Sequence, residues 1–323
     1  MKTKPSKFMN INRIEFIITW QCGGRCKHCQ IGNDINKPGS HRHVLSDHAV
    51  EAVKKLAAAY DITSVMTFGG EPLYYSEVTA AIHKTATDCG IKTRQIITNG
   101  YFTNNAEKSR IVAKALVDAG VNNLLLSVDA FHQEHIPFEP VYQFARDIIN
   151  AKIPGAFLYP AWLVNRAHQN PYNAKTEEIL DRFSDLSITV SEYENCVALL
   201  GQAAHLLREY YEKIESKLFE SCTPTPCLEP LKATNISIVP NGDMMICGFV
   251  IGNIYKEDVT DIIARYNPYE HEDMLAVIQG GVPGLLDYAK KQGITVNTSD
   301  YCDNCGVCEA AAKKLRSCST IPK

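Results

Sequence analysis

The chain has 323 residues, 45% hydrophobic content, a net charge of -3 at pH 7 and twelve cysteines. This length allows one large α/β domain or two ordinary domains with a sizeable core. A pI near 6.4 argues against a nucleic-acid partner, which requires a basic face. We expect a cytoplasmic protein without a membrane partner, because the sequence shows no apolar run of spanning length and no signal peptide.

Short apolar runs alternate with amphipathic segments along the first 190 residues. The predicted strands are Ile14–Trp20, Thr63–Phe68, Lys92–Thr98, Asn122–Val128, Ala156–Val164 and Ser187–Val190. Predicted helices begin at Ser46, follow Pro72 to about Cys89, and then cover Asn105–Ala119, Glu139–Asn150 and Thr176–Ser184. This alternation predicts parallel βα units. Six units are too few for a closed eightfold barrel, so the expected fold is α/β with a partial (β/α)6 TIM-like barrel.

The composition changes after the sixth predicted strand. A long helix is expected over Val197–Phe219, followed by a Pro- and Cys-rich hinge, Ser221–Pro230. Two strand-like runs flank the turn Asn241-Gly242 and predict a β-hairpin, with two or three helices after it. The expected division is an extension at 1–12, the barrel with its linking helix at 13–220, and a small α+β domain at 221–323.

Three cysteines, Cys22, Cys26 and Cys29, follow the first predicted strand at the spacing C-x3-C-x2-C. Thiolates select zinc, copper(I) or iron–sulfur clusters. Three close thiolates on one loop suit a cubane whose fourth iron stays open to a substrate or cofactor. Structural zinc, with His28 as the fourth ligand, is the alternative.

The turn Gly69-Gly70-Glu71-Pro72 follows the second strand, and with it the cysteine trio resembles the radical S-adenosylmethionine (SAM) superfamily. The resemblance implies a [4Fe–4S] cluster coordinated with SAM, a 5′-deoxyadenosyl radical from reductive SAM cleavage, and a reductant such as flavodoxin or ferredoxin. The SAM-binding residues that it implies are His28, Gly69, Gly70, Glu71, Pro72, Thr98, Asn99, Ser127, Asp129 and Arg166. Helix capping is the alternative role for the strand-end residues, and a surface salt bridge is the alternative for Arg166.

A second cysteine group lies near the C-terminus. Cys227, Gly242 and Cys247 resemble the opening of the SPASM and twitch auxiliary-cluster modules, so the C-terminal part is expected to be an iron–sulfur domain. One auxiliary [4Fe–4S] cluster on Cys227, Cys247, Cys305 and Cys308 is the favoured assignment. The later pattern departs from a full SPASM domain, and it leaves open a role for Cys302, a second cluster using Cys222, Cys302 and Cys318, or a zinc site.

The functional prediction is a radical SAM enzyme of oxidoreductase or isomerase type that epimerises, crosslinks or oxidises a peptide. A modifier or dehydrogenase of a small-molecule metabolite is the alternative. Cys222 and Cys302 are candidate hydrogen donors, and His132 is a candidate for positioning a substrate or moving a proton. Non-catalytic alternatives are an iron–sulfur electron carrier or redox sensor, and a zinc-stabilised binding module.

Overall fold

The structure is a computed structural model that describes residues 6–32, 35–211, 233–301 and 304–319. The strands are β1 (Met9–Ile17), β2 (Ser64–Phe68), β3 (Thr93–Thr98), β4 (Asn123–Leu126), β5 (Ala156–Leu158), β6 (Ala161–Trp162), β7 (Thr189–Val190), β8 (Asn195–Cys196), β9 (Ala233–Ile238), β10 (Asp243–Ile246) and β11 (Phe249–Asn253). The helices are α1 (Ser46–Ala59), α2 (Ser76–Asp88), α3 (Ala106–Asp118), α4 (Ala130–Gln133), α5 (Phe138–Asn150), α6 (Pro171–Asp181), α7 (Ala203–Leu206), α8 (Val259–Arg265), α9 (Glu272–Lys291) and α10 (Asn304–Ser319).

The main sheet has the strand order β11-β10-β9-β1-β2-β3-β4-β5-β7. Strands β1 to β5 and β7 are parallel to their neighbours and follow chain order, with helices on the connections. This confirms the predicted α/β fold with a partial TIM-like barrel. The carboxyl ends of the parallel strands share one edge, where sites gather in such folds.

The first strand shows why the sheet forms where it does. In β1, Met9 and Ile11 are buried on one side of a register shift, and Ile14 and Phe16 are buried after it. Within each pair the residues are two apart and lie on the same face of the strand. Helix α1 begins at Ser46, with Leu45 at the N-cap position, and packs Val53 into the same core. Side chains from the C-terminal helices belong to this core as well.

The predicted hairpin is confirmed, and the structure adds where it attaches. Strands β9 and β10 are antiparallel, and β9 also pairs in parallel with β1, with Ile238 opposite Phe16. The C-terminal strands therefore extend the barrel sheet. The proposed domain boundary at residue 221 lies outside the described residues, so the division into domains stays a prediction.

Several sequence-based elements differ in the structure. The first strand covers Met9–Ile17 instead of Ile14–Trp20, so it begins inside the expected extension at 1–12. The fifth predicted strand is interrupted between β5 and β6, where Pro160 provides no backbone N–H for a ladder. The long helix predicted from Val197 is wrong over residues 197–211, which contain the short helix α7 and a 3-10 turn. Gly201 there has φ +56°, and a Cβ on it would lie 2.3 Å from the Gln30 carbonyl oxygen. Close packing on the cysteine loop therefore requires glycine and interrupts the helix.

None of the helices within the described ranges combines the length and the apolar content that a bilayer crossing requires.

Candidate functional site

The cysteine trio lies on a loop that leaves the carboxyl end of β1. Asn36 closes this loop, because its side chain accepts a hydrogen bond from Cys22 N at 3.0 Å and donates one to Cys22 O at 2.8 Å. Cys29 N donates to Cys26 O at 3.0 Å, and Gln202 N donates to Cys29 O at 3.1 Å. Hydrogen bonds within the loop, and one from the segment before α7, therefore fix the conformation of the loop.

The three thiols face a common space. Cys26 is buried, at 7% exposure, while Cys22 and Cys29 are partly buried. A Cβ on Gly24 would lie 3.1 Å from Cys26 Sγ and 3.7 Å from Cys22 Sγ. Gly24 N and Asn99 Nδ2 donate to Cys22 Sγ at 3.3 and 3.4 Å. Donors to a thiolate sulfur stabilise its charge, so this setting fits metal-bound sulfur.

Burial opposes thiolate formation in the absence of a cation. Burial, and secondarily the negative charges of Glu71 and Cys29, raises the pKa of Cys22 to about 12, although the Gly24 N–H opposes the change. Burial also raises the pKa of Cys26 and of Cys29. A bound iron ion supplies the positive charge that makes three adjacent thiolates stable. The chemistry of this donor set therefore fits a [4Fe–4S] cluster.

The glycine-rich turn packs directly on the start of the cysteine loop. Gly70 N donates to Thr19 O at 2.8 Å and Glu71 N donates to Gln21 O at 2.7 Å. A Cβ on Gly70 would lie 2.1 Å from the Gln21 carbonyl oxygen, so only glycine permits this approach. Within the described residues, no hydrogen bond uses the carbonyls of Gly69 or Gly70. Gly69 and Gly70 line a cavity, and backbone carbonyls without an internal partner can accept a hydrogen bond from a ligand there.

Glu71 lies behind the turn and is fully buried, at 0% exposure. Its Oε1 accepts from Leu73 N at 2.9 Å and from Thr98 Oγ1 at 2.7 Å, and its Oε2 accepts from Asn99 N at 2.9 Å. Burial raises the pKa of Glu71 to about 7, while these donors oppose the change. The carboxyl group thus links the turn to the end of β3, and the structure gives it a positioning role.

A second polar group lies at the start of α4. Asp129 caps this helix by accepting from His132 N at 3.0 Å, and its Oδ2 lies 2.8 Å from His132 Nδ1 and 3.0 Å from Ala161 N. Burial works to raise the pKa of Asp129, but the charge and hydrogen bond of His132 lower it to about 2. An ionised carboxylate only accepts hydrogen bonds, so His132 carries its proton on Nδ1.

His28 lies beside this pair. Its ring centroid is 4.9 Å from that of His132 and 5.0 Å from that of Phe131. Burial, followed by the charge of His132, lowers the pKa of His28 to about 4, so its ring is neutral at pH 7. The Nδ1 atom of His28 is buried and has no hydrogen-bond partner among the described residues.

These elements surround a cavity of about 420 Å³, a size typical of small-molecule sites. Sequence-predicted residues that line it are Cys22, Cys26, His28, Cys29, Gly69, Gly70, Thr98, Asn99, Ser127 and His132. Pro72 is buried in the turn, and Asp129 lies behind His132. The structure therefore brings most of the predicted site residues together.

Arg166 departs from its predicted place. Its Nε and Nη2 atoms bind the Glu177 carboxylate at 2.8 and 3.1 Å, and its guanidinium lies over Trp162. The side chain is 51% exposed and does not line the cavity. The structure thus contains the surface salt bridge that was the alternative role for Arg166. We therefore do not assign Arg166 to SAM.

The cavity also contains residues that the sequence analysis did not name. Tyr159 directly follows β5, but the sequence predicts a strand that continues to Val164, so the strand-end rule selected Arg166 in its place. Asn195 and Gln202 line the cavity as well. No sequence signal identifies Asn195 and Gln202 as site residues, because in this segment the sequence predicts only the end of a barrel unit and the start of a helix.

Only part of the second cysteine group lies within the described residues. Cys222, Cys227 and Cys302 lie outside them, as does the side chain of Cys318. Cys247 follows β10 and is exposed, with φ +54°. A Cβ on the adjacent Gly248 would lie 3.5 Å from Glu309 Cα, so Cys247 is close to the start of α10. That first part of α10 carries Cys305 and Cys308.

Comparison with known proteins agrees with this geometry. Residues 16–156 match the radical SAM superfamily. The chain is similar to the GTP 3′,8-cyclase of Moorella thermoacetica, at 26% identity over 124 residues, which cover 38% of this chain and 36% of that protein. The GTP 3′,8-cyclase of Listeria monocytogenes is 26% identical over 234 residues, covering 69% of this chain and 65% of that protein. The first match thus spans about a third of its relative's length.

A solved structure shows the fold over nearly the whole chain. The histidine-tagged form of anSMEcpe with bound AdoMet superimposes with a TM-score of 0.50 at 12% identity, covering 96% of each chain. At this identity the likeness concerns the fold. The sequence match ends at residue 156, so the SPASM-like interpretation of the C-terminal part stays a prediction.

Proposed function

From the match of residues 16–156 to the radical SAM superfamily, we propose that this protein is a radical SAM enzyme acting on a small molecule. The observation that carries the proposal is the cavity in which the cysteine trio, the free carbonyls of the glycine turn and the end of β3 meet. A simple electron carrier has no use for such a cavity, so it argues for an enzyme.

The residues have separable roles in this proposal. Cys22, Cys26 and Cys29 would hold the cluster, and the carbonyls of Gly69 and Gly70 would accept from the SAM ammonium group. When bound, the cluster would pass an electron from the reductant to SAM, and SAM cleavage would supply the radical that abstracts hydrogen from the substrate. Glu71 holds the turn against β3, and a reductant of the flavodoxin or ferredoxin type would supply the electron.

His132 is the titratable side chain best placed to act on a substrate. Its Nδ1–H is held by Asp129, which leaves Nε2 as the nitrogen that can accept a proton or a hydrogen bond. The ring lines the cavity. We propose that it positions the substrate or takes up a proton during turnover.

The names of the curated relatives favour a small-molecule substrate. Those proteins are GTP cyclases, so the alternative in the sequence analysis is better supported than the peptide. Arg25 is the one Lys or Arg lining the cavity within the described ranges.

The first prediction concerns the cysteine trio. Replacing Cys22, Cys26 and Cys29 by Ala is expected to abolish 5′-deoxyadenosine formation, because no thiolates remain to hold the cluster. The reconstituted protein is assayed anaerobically with dithionite and SAM. Cys89→Ala is the matched control, because Cys89 is an exposed cysteine far along the chain from this loop. Undiminished 5′-deoxyadenosine formation by the triple variant would contradict the proposal.

The substrate class has its own test. A small-metabolite extract is treated with peptidases and added to the enzyme with SAM and dithionite. We expect it to stimulate 5′-deoxyadenosine formation after the treatment, and GTP is assayed in a parallel reaction. If peptidase treatment removes the stimulation of 5′-deoxyadenosine formation, the substrate is a peptide and the small-molecule proposal is wrong.

We also propose one auxiliary [4Fe–4S] cluster on Cys227, Cys247, Cys305 and Cys308. The contact of Gly248 with Glu309 supports it, because it brings Cys247 near the cysteines of α10. Cys222 and Cys302 stay proposed thiol hydrogen donors.

The second prediction is an iron count on the variant that lacks the N-terminal trio. About four irons per chain should remain, and Cys305→Ala or Cys308→Ala should remove them because each deletes one of the four thiolates proposed to hold this cluster. Cys302→Ala is the control and should retain them. About eight irons in the trio variant would indicate two auxiliary clusters.

A further inference from the structure

Three potential metal ligands meet beside the cluster loop. The Cys26 sulfur and one ring nitrogen each from His28 and His132 lie within 4.8 Å of one another. Two of these residues come from the loop after β1 and the third from α4, more than a hundred positions later in the sequence. Their imidazole rings are inclined by 65°, so nitrogens of both can be directed at one point.

The surroundings of the two histidines are those of metal ligands. Asp129 Oδ2 accepts from His132 Nδ1 at 2.8 Å, which fixes the ring and leaves Nε2 for coordination. A carboxylate behind an imidazole in this way is the usual outer support of a zinc-bound histidine. Independently, the buried Nδ1 of His28 has no partner among the described residues, although buried polar nitrogens are normally bonded.

The donor set selects an ion class. One thiolate and two neutral imidazoles suit zinc and its probe cobalt(II), with the fourth tetrahedral position open to the cavity. Ligand atoms around a tetrahedral zinc ion lie about 3.5 Å apart, so the three groups need to close by about 1 Å. Metal binding at this site would therefore draw the three side chains together by this amount.

We propose that the cluster-free protein binds one zinc-class divalent ion at Cys26, His28 and His132. Binding forms one sulfur–metal and two nitrogen–metal bonds, and the Cys26 thiol proton leaves to solvent. This set differs from a zinc site on the three loop cysteines, because His132 replaces Cys22 and Cys29. Since the ion and the iron–sulfur cluster both need Cys26, they exclude each other, and zinc would block cluster assembly.

The first test is anaerobic titration of the cluster-free full chain with cobalt(II), followed by its visible and sulfur-to-metal charge-transfer absorption. The double variant Cys22→Ala, Cys29→Ala should bind one cobalt ion with the wild-type spectrum, because it keeps all three proposed ligands. Loss of that spectrum in the double variant would overturn the proposal and assign the ion to the loop cysteines.

The second test uses His28→Phe and His132→Phe, with the exposed His135→Phe as control. We expect each of the first two to weaken cobalt binding by at least tenfold. His28→Phe should still take up iron and sulfide, because the cysteine trio is intact. In wild type we expect stoichiometric zinc to lower the iron content, and in His28→Phe this effect of zinc should be absent. Wild-type cobalt affinity in both variants, or unchanged suppression by zinc, would overturn the proposal while leaving the radical SAM function intact.

Discussion

At the scale of single residues, Glu71 shows how a buried carboxyl group organises a site that it does not line. Three donors from two separate segments, Leu73 N, Thr98 Oγ1 and Asn99 N, converge on its two oxygens. The same Asn99 extends its side chain to Cys22 Sγ. A change at Glu71 is therefore transmitted to the glycine turn and to the cysteine loop together.

The third prediction follows from this arrangement. Glu71→Ala is expected to raise the SAM dissociation constant about 10- to 150-fold, which corresponds to about 1.5–3 kcal/mol, because it leaves buried donors without an acceptor. Thr98→Val removes one of the donors and should have a smaller effect. Equilibrium binding of SAM to the reconstituted protein measures both.

Neither variant should reduce the iron content, since neither side chain offers a thiolate. The exposed Glu107→Ala serves as the control for loss of an acidic residue. An unchanged SAM dissociation constant in Glu71→Ala would contradict the positioning role.

At the scale of elements, the contact between α2 and β2 contains a buried histidine that is paired with a threonine. His83 on α2 is fully buried, and its Nε2 lies 2.8 Å from Thr67 Oγ1 on β2. Burial, followed by the charge of Arg94, lowers the pKa of His83 to about 3. The folded protein therefore holds this ring neutral, whereas an unfolded chain protonates it near its ordinary pKa.

The fourth prediction is the resulting pH dependence of stability. Between pH 6.5 and 3 the unfolded chain binds the additional proton, so the free energy of unfolding falls as the pH is lowered through this window. The contribution of His83 should be constant above pH 6.5 and fall by about 1.4 kcal/mol per pH unit below it.

Denaturant unfolding of wild type and His83→Leu at pH 5, 6 and 7 measures this difference. The variant should lack this part of the pH dependence, whereas the exposed control His205→Leu should keep it. Identical pH slopes for wild type and His83→Leu would contradict the assignment.

At the scale of the whole molecule, the C-terminal hairpin and the barrel share one sheet and one core. Ile238 on β9 is fully buried opposite Phe16 of β1, and it packs in the cluster that contains Val53 of α1 and Leu285 of α9. Elements that share a core in this way are expected to unfold together.

The fifth prediction tests that cooperativity. Ile238→Ala should destabilise the whole protein by about 2–5 kcal/mol, because it leaves a cavity in the shared core. Both tryptophans, Trp20 and Trp162, lie in the N-terminal part, so their fluorescence reports on the barrel. Ile111→Ala is the control, since Ile111 is 57% exposed. A tryptophan-monitored transition that Ile238→Ala does not shift would indicate an independently folding C-terminal domain.

The sequence alone determined the features that depend on local spacing. Alternating strand and helix patterns predicted the parallel sheet, and the positions of C-x3-C-x2-C and of the glycine turn after successive strands predicted that the cysteine loop and the turn are neighbours. These predictions succeed because side-chain periodicity and turn chemistry act over a few residues. The rule that sites gather at strand ends then placed Asn99 and Ser127 at the cavity.

Tertiary structure decided everything that depends on contacts between distant segments. Packing of Gly201 against Gln30 replaced the expected long helix, and pairing of β9 with β1 joined the hairpin to the barrel. The same is true of the roles of single side chains: Glu71 acts through the end of β3, and His132 meets Cys26 and His28. No local sequence pattern encodes these contacts, because each contact depends on how the sheet brings together segments that are remote in the chain.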